Sequence, residues 1–268
     1  MSELRLSEIW IYPVKSLGGI RLTEAKVMEK GLALDRRWML VDEQGVFMTQ
    51  RFHPTMALFK PRVADGELII TFQGDSHKIS TTKPGSGANE HVKIWDDTVV
   101  AVEVDLQTSA WFSEKLNFKC KLVSFPEENP RAVDAKYKVN DEHVSLADGY
   151  PFLIIGQQTL DFLNAKLGTP LPMNRFRPNL VFTGGVPHEE DHWRNFTIGI
   201  NHFVGVKPCA RCVQTTINQD TAEKGIEPLR TLATYRKDGN KILFGQNVVA
   251  VNHQTIKQGD IITIQTRS

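Results

Sequence analysis

Cysteine is scarce, with three in 268 residues. Three thiols cannot form a disulfide framework and fall one short of a four-thiolate iron–sulfur centre. A charge excess is missing as well: 32 Lys and Arg stand against 31 Asp and Glu. The basic surplus or stripe of a typical nucleic-acid binder is therefore absent. Long apolar runs are absent too, and stretches such as PFLII at 151–155 are far too short to span a bilayer. The opening MSELRLSEIW carries charges where a secretory signal needs an apolar segment. No internal repeat is visible, and the one Gly/Ser-rich patch is KPGSGAN at 83–89. Together these absences predict a soluble cytoplasmic protein with neither nucleic acid nor membrane as partner.

What is present is ordinary globular composition, 41% hydrophobic and 24% charged, enough to bury the core of one large domain or two smaller ones. The N-terminal part reads as β-hairpins. EIWIYPV is a strand halted by Pro13, and WMLVDEQGVFMT is two strands around Glu-Gln-Gly. PRVADGELIITF turns at Asp65-Gly66, and VKIWDDTVVAVEV turns at Asp96-Asp97. Helices are expected over DLQTSAWFSEKLN, over QQTLDFLNAKLG with Gly168 as its stop, and over EPLRTLATYR with Pro228 in the first turn. The polar stretch at 124–145 is a linker or a long loop near a site. The chain closes on the strands ILFGQNVVAVN and DIITIQT. The expected fold is mainly β with some α, a β-barrel with peripheral helices. A boundary near 120 would separate an N-terminal β-barrel-like domain, 1–120, from a second domain, 121–268.

The segment KPCARCVQTTIN at 207–218 holds Cys209 and Cys212 three apart. A structural zinc site usually needs a second such pair, and Cys120 is alone. A thioredoxin-like pair needs a helix after it, whereas VQTTI is β-branched and strand-like. On an extended chain, odd spacing sends the two thiols to opposite faces, which favours one working thiolate. Arg211 between them is placed to stabilise a thiolate. The plain alternative is two small buried hydrophobes. HEEDH at 188–192 fits H-E-x-x-H, but that motif must lie on a helix to aim both histidines at one metal. The flanking Gly184, Gly185 and Pro187 predict a solvated acidic loop instead. Cations cluster beside turns: Lys15 with Ser16 in YPVKS, Arg36 with Arg37 in LDRRW, and Arg175, Arg177 and Asn179 in NRFRPNL. Each alone is most often a surface charge. In an extended RFR, Arg175 and Arg177 share a face, and with Lys15 and Arg36 they could converge on a phosphate.

Taken in order, YPVKS, LDRRWMLVD, SLADGYPFLI, NRFRPNLVF, KPCARCVQTTIN and FGQNVVAVN resemble the MOSC family. Within it they are most similar to the bacterial YcbX-type proteins and the mitochondrial amidoxime-reducing component. The resemblance covers nearly the whole chain. It implies a MOSC N-terminal β-barrel domain, a MOSC domain and a molybdenum cofactor whose metal is held by Cys212, the catalytic thiolate. Lys15, Ser16 and Arg36 would then hold the cofactor phosphate. Arg175, Arg177 and Asn179 would contact pterin or phosphate, Arg211 would join them, and Asp148 would accept from pterin N–H groups. Cys209 is expected behind the ligand, with Thr215, Thr216 and Asn218 lining the same pocket. HEEDH falls in a loop that varies within the family. The family description also carries pyridoxal phosphate binding. The implied activity is reduction of N-hydroxylated compounds such as hydroxylamines, amidoximes and N-hydroxylated bases. YcbX-type proteins often carry a ferredoxin domain. Here DIITIQT is followed only by Arg267 and Ser268, so electrons are expected from a separate flavin or iron–sulfur reductase. The rival readings are a non-catalytic cofactor or sulfur carrier and, from HEEDH, a zinc hydrolase.

Overall fold

Alternating apolar residues build the main sheet. In Phe152–Gly156, Phe152 and Ile154 face one side, and in Trp193–Ile198, Trp193, Phe196 and Ile198 do the same. In Arg5–Ile11, Leu6 and Ile9 are three apart yet both enter that core, because the register shifts between Leu6 and Glu8 and resets the face. The computed structural model describes residues 3–83 and 85–267; Met1, Ser2, Pro84 and Ser268 lie outside that description.

The sheet has nine strands. Its hydrogen-bonded order is Ile262–Arg267, Trp193–Ile198, Asn201–Ala210, Lys241–Ala250, Phe152–Gly156, Leu180–Thr183, Arg5–Ile11 and Ile20–Leu22, with Lys237–Asp238 paired to one side. Neighbours are antiparallel except Phe152–Gly156 with Leu180–Thr183, which run parallel and are joined through the crossover helix at Gln157–Asn164. A bridge between Arg5 and Ile261 brings the far strand back to Arg5–Ile11, so the sheet curls into a barrel. Trp193, Phe182, Phe152 and Phe203 fill it. The expected cut near residue 120 is crossed by pairing in both directions. Arg5–Ile11 joins the barrel, Glu24–Met28 pairs with Thr255–Lys257, and Lys121–Ser124 pairs with Trp38–Val41 and Asp97–Glu103.

The three expected helices form at Leu106–Leu116, Gln157–Asn164 and Leu229–Ala233. The second stops at Asn164, short of Gly168. Among the described residues no helix is long and apolar enough to cross a membrane. Three local expectations fail. Of WMLVDEQGVFMT only Trp38–Val41 is a strand, with Phe47 making an isolated bridge to Val41. The hairpin between Asn89–Ile94 and Asp97–Glu103 turns on Trp95-Asp96, with Trp95 at φ 55°, a conformation unusual for so bulky a side chain. Finally, HEEDH is no solvated loop. Glu189–His192 is one 3-10 turn packed against the barrel, with Glu189 and Glu190 buried.

Glu190 shows why that turn is internal. Its carboxylate accepts from Gly156 N at 3.2 Å and from Thr159 Oγ1 at 2.9 Å, at the start of the crossover helix. Burial pushes its pKa up to about 7. His188 packs against Phe162, Tyr235 and Phe244, and burial pulls its pKa down to about 4. Among the described residues no three His, Cys, Asp or Glu side chains are grouped to hold a metal, and the 3-10 turn lacks the helical face that the zinc reading of HEEDH required.

A carboxyl with a raised folded pKa binds more protons folded than unfolded between about pH 4.5 and 7. Its contribution to stability therefore declines across that window and stays low above it. Glu190→Gln is expected to remove this decline and to raise Tm at pH 8 by roughly 5 °C. Thermal denaturation at pH 5 and pH 8 checks it, and equal Tm differences at both pH values would refute it.

Candidate functional site

A cleft of about 310 Å³ opens beside the barrel, lined by segments from both halves of the chain. The residues given a catalytic or cofactor-binding role from the sequence all reach it: Cys212, Lys15, Ser16, Arg36, Asp148, Arg175, Arg177, Asn179 and Arg211. Thr215 also lines it, as does Cys209. Thr216 and Asn218 do not. Thr216 is buried and donates to Val213 O at 2.8 Å, and the Asn218 side chain accepts from Asp220 N at 2.9 Å in a turn.

Residues 12–17 and 35–36 form one wall. The Asp35 carboxylate is fully buried; it accepts from Tyr12 N at 2.7 Å and from Arg36 Nη1 at 2.7 and 2.8 Å. The Tyr12 ring lies between two guanidinium groups, Arg36 at 4.3 Å and Arg177 at 4.1 Å from its centroid. Each is a cation–π contact, and desolvation strengthens it. Burial pushes the Tyr12 phenol up to about 12, so it remains a neutral donor and reaches Pro178 O at 3.2 Å. Arg177 donates to Leu17 O at 2.7 Å, and burial lowers its pKa to about 10, which leaves it charged at neutral pH. Ser16, Arg36 and Arg177 all have positive φ, at 67°, 50° and 54°. Such strain in non-glycine residues is held by surrounding structure and concentrates at functional sites.

Lys15 is 5% exposed. Its Nζ donates to Leu146 O at 2.9 Å and to Asp148 Oδ1 at 2.5 Å. Burial pulls its pKa down to about 8, against the opposing pull of Asp148. Asp148 lines the cleft with its side chain 61% accessible. Burial there favours the protonated acid, yet the Lys15 charge and hydrogen bond, with a further bond from Trp95 Nε1 at 3.2 Å, hold its pKa well below the usual carboxylate range. Arg131 braces the same loop by donating to Ser145 O at 2.8 Å and Ala147 O at 2.6 Å. Asn179 is largely committed to the scaffold: it donates to Trp10 O at 3.1 Å and accepts from Leu153 N at 3.3 Å.

The cysteine segment departs from its expected shape. Cys209 lies near the end of strand Asn201–Ala210, but Val213–Thr216 is a 3-10 turn that Cys212 precedes. Odd spacing along one strand therefore does not separate the thiols, and both line the cleft. Cys212 is exposed, while Cys209 accepts from Arg211 Nη1 at 3.0 Å. Arg211 thus addresses Cys209, and its Nη2 donates to Phe176 O at 2.6 Å. RFR is not extended either. Met173–Arg175 is a 3-10 turn and Arg177 is left-handed, and this geometry brings both arginines to the cleft.

Tyr12, Asp35, Trp95, Tyr150 and Lys207 were not expected from the sequence. Tyr12 and Asp35 adjoin motif residues, and Tyr150 sits in SLADGYPFLI, so their signal was adjacency. Trp95 had none, because it depends on the turn. What the arrangement offers chemically is a thiol open to the cleft beside cations suited to anionic oxygens.

The Lys15 titration predicts a pH dependence. A bound phosphate gains from the charged amine, which is lost as pH rises through about 8. Calorimetric titration with inorganic phosphate between pH 7 and 9.5 is expected to show affinity falling about fivefold or more through that pH, and no comparable fall in Lys15→Met. A pH-independent affinity in the wild type would refute it.

Comparison with known proteins gives two domain matches. Residues 3–119 match the MOSC N-terminal beta barrel domain and residues 141–263 the MOSC domain. Mitochondrial amidoxime-reducing component 1 of Homo sapiens is 30% identical over 283 residues, covering 95% of this chain and 81% of that protein. Molybdenum cofactor sulfurase of Danio rerio is 31% identical over 278 residues, covering 96% of this chain and 33% of that protein. The corresponding sulfurase of Oryza sativa subsp. japonica is 29% identical over 288 residues, covering 100% of this chain and 35% of that protein. The chain thus spans about a third of the length of these sulfurases. With both domain matches in sequence order and a relative of this identity covered over most of its length, the chain belongs to the MOSC family.

Proposed function

We propose that the cleft holds a molybdenum cofactor and that the protein reduces N-hydroxylated compounds, such as hydroxylamines, amidoximes and N-hydroxylated bases. The observation that carries this reading is an exposed thiol, Cys212, in a cleft lined by six cationic side chains. The residues fit the group. A soft thiolate suits such a metal. A bound phosphate would add a second negative charge beside the Lys15 amine, whose pKa burial depresses despite Asp148, and Ser16 and Arg36 complete that cradle. Arg175 and Arg177 would face pterin or phosphate, with Asn179 contributing what its scaffold bonds leave free. One Asp148 oxygen receives Lys15 and Trp95, and the other remains open to pterin N–H groups.

The cofactor supplies two-electron redox chemistry at the metal. Overall, the N–O bond breaks, two electrons and two protons enter, and the products are the amine or amidine and water. The chain's part is to hold, orient and shield. Tyr12 fixes the spacing of Arg36 and Arg177. Asp148 keeps Lys15 in place and opposes its loss of charge. The electrons would come from a separate flavin or iron–sulfur reductase, and the cytoplasm is the proposed compartment.

A second reading is a cofactor or sulfur carrier without turnover. It is favoured by the sulfurase relatives and by a second cleft thiol, Cys209. Molybdenum content and benzamidoxime reduction with a chemical reductant separate the two. The expected outcome is near-equimolar molybdenum and turnover in protein from molybdate-fed, cofactor-making cells, with both lost in Cys212→Ala. Bound molybdenum without turnover under any donor would favour the carrier, and full activity in Cys212→Ala would refute Cys212 as ligand.

A further inference from the structure

The cleft holds more positive charge than a cofactor phosphate requires. Among its described lining residues are Lys15, Arg36, Arg175, Arg177, Lys207 and Arg211, against one carboxylate, Asp148. A phosphate monoester carries close to two negative charges at neutral pH. Together with Asp148, with Asp35 behind Arg36 and with a Cys212 thiolate, it offsets five of the six cations and leaves one uncompensated. Such an excess inside low-dielectric walls draws a further anion.

Lys207 is the cation placed to receive one. Its Nζ sits 4.4 Å from the Tyr137 ring centroid and 5.9 Å from that of Tyr150. The two rings meet edge-on with centroids 6.2 Å apart. These aromatic faces hold the ammonium without neutralising it. Lys15, by contrast, has Asp148 and Leu146 O as partners, whereas no described carboxylate or carbonyl accepts from Lys207 Nζ. The Lys207 backbone is pinned, since its carbonyl accepts from Asn247 Nδ2 at 3.1 Å. Tyr150 lines the cleft beside it. Burial, with Asp134, Tyr137 and Cys209 adding to it, raises the Tyr150 phenol, which therefore stays an O–H donor across neutral pH. Lys207 is two residues from Cys209 on the same strand, and both reach the cleft. Lys207 therefore stands on the cysteine-bearing strand, with the Tyr150 ring beside its ammonium.

We propose that Lys207 and Tyr150 form a subsite for an anionic group of the substrate, so that the protein prefers N-hydroxylated compounds that also bear a carboxylate. The subsite rests on the functional reading above and deepens it. The ammonium offers a point charge to a carboxylate oxygen, and the phenol a neutral hydrogen bond.

The test compares benzamidoxime with 4-carboxybenzamidoxime on molybdenum-loaded protein. Wild type is expected to favour the carboxylated compound at least tenfold in kcat/KM. In Lys207→Met the carboxylated compound should lose at least tenfold more than the neutral one, chiefly through KM, with molybdenum content retained. Tyr150→Phe should give a smaller loss of the same kind. Added salt should erode the preference in wild type. No preference in wild type, equal losses on both compounds, or loss of molybdenum in Lys207→Met would overturn the proposal. If loaded protein turns over neither compound, the functional reading has failed, and benzoate binding to phosphate-saturated protein, measured by calorimetry, decides the subsite. Benzoate affinity at least fivefold weaker in Lys207→Met supports it, and undetectable or unchanged binding overturns it.

Discussion

Six like charges around one cleft repel one another, and the surrounding structure depends on how that repulsion is offset. Two unit charges a few ångströms apart in a half-dry site interact by several kcal/mol. No single device answers this. Asp35 neutralises Arg36 from behind, and Asp148 neutralises Lys15 from within the cleft. The Tyr12 ring takes cation–π contacts from both Arg36 and Arg177. Backbone carbonyls of Leu17, Phe176 and Thr215 accept from Arg177, Arg211 and Arg175. Such acceptors orient a cation without removing its charge, so the cleft stays positive while its walls stay fixed.

The left-handed residues belong to the same solution. Ser16, Arg36 and Arg177 each turn the chain sharply where a side chain must meet the cleft and the next residue must re-enter the scaffold. Ser16 is held there partly by Gln50, whose Nε2 donates to its carbonyl at 2.7 Å. Gln50 in turn exchanges amide bonds of 3.1 and 3.0 Å with Gln219. The phosphate-side loop and the segment following the cysteine turn are thereby tied by one buried amide pair.

Much of the site was legible because its polar residues sit in short runs whose order along the chain is distinctive: YPVKS, LDRR, ADGY, NRFRPN and KPCARC. Convergence was not legible. The strand reading of VQTTI followed β-branched propensity, but Thr215 and Thr216 bond back to Cys212 O and Val213 O and favour a tight turn. Composition also misread HEEDH, since two glutamates in a row suggest solvent while both are buried, Glu190 receiving Gly156 N and Thr159 Oγ1. The mainly β fold was readable from alternation and turns. The barrel was expected too, but the particular pairing that closes it was not, because the Arg5–Ile261 bridge joins residues at opposite ends of the chain.

That long-range construction bears on when the site can exist. The cleft takes side chains from Lys15 near one end to Asn247 near the other, and its scaffold strand at Arg5–Ile11 pairs with Leu180–Thr183. Contacts of such sequence separation form late, after most of the intervening chain is available. During synthesis the N-terminal wall emerges first and must wait, without its cysteine-bearing counterpart, until residues beyond 247 leave the ribosome. Capture of any cleft ligand therefore waits until the chain through Asn247 has folded back onto the N-terminal wall.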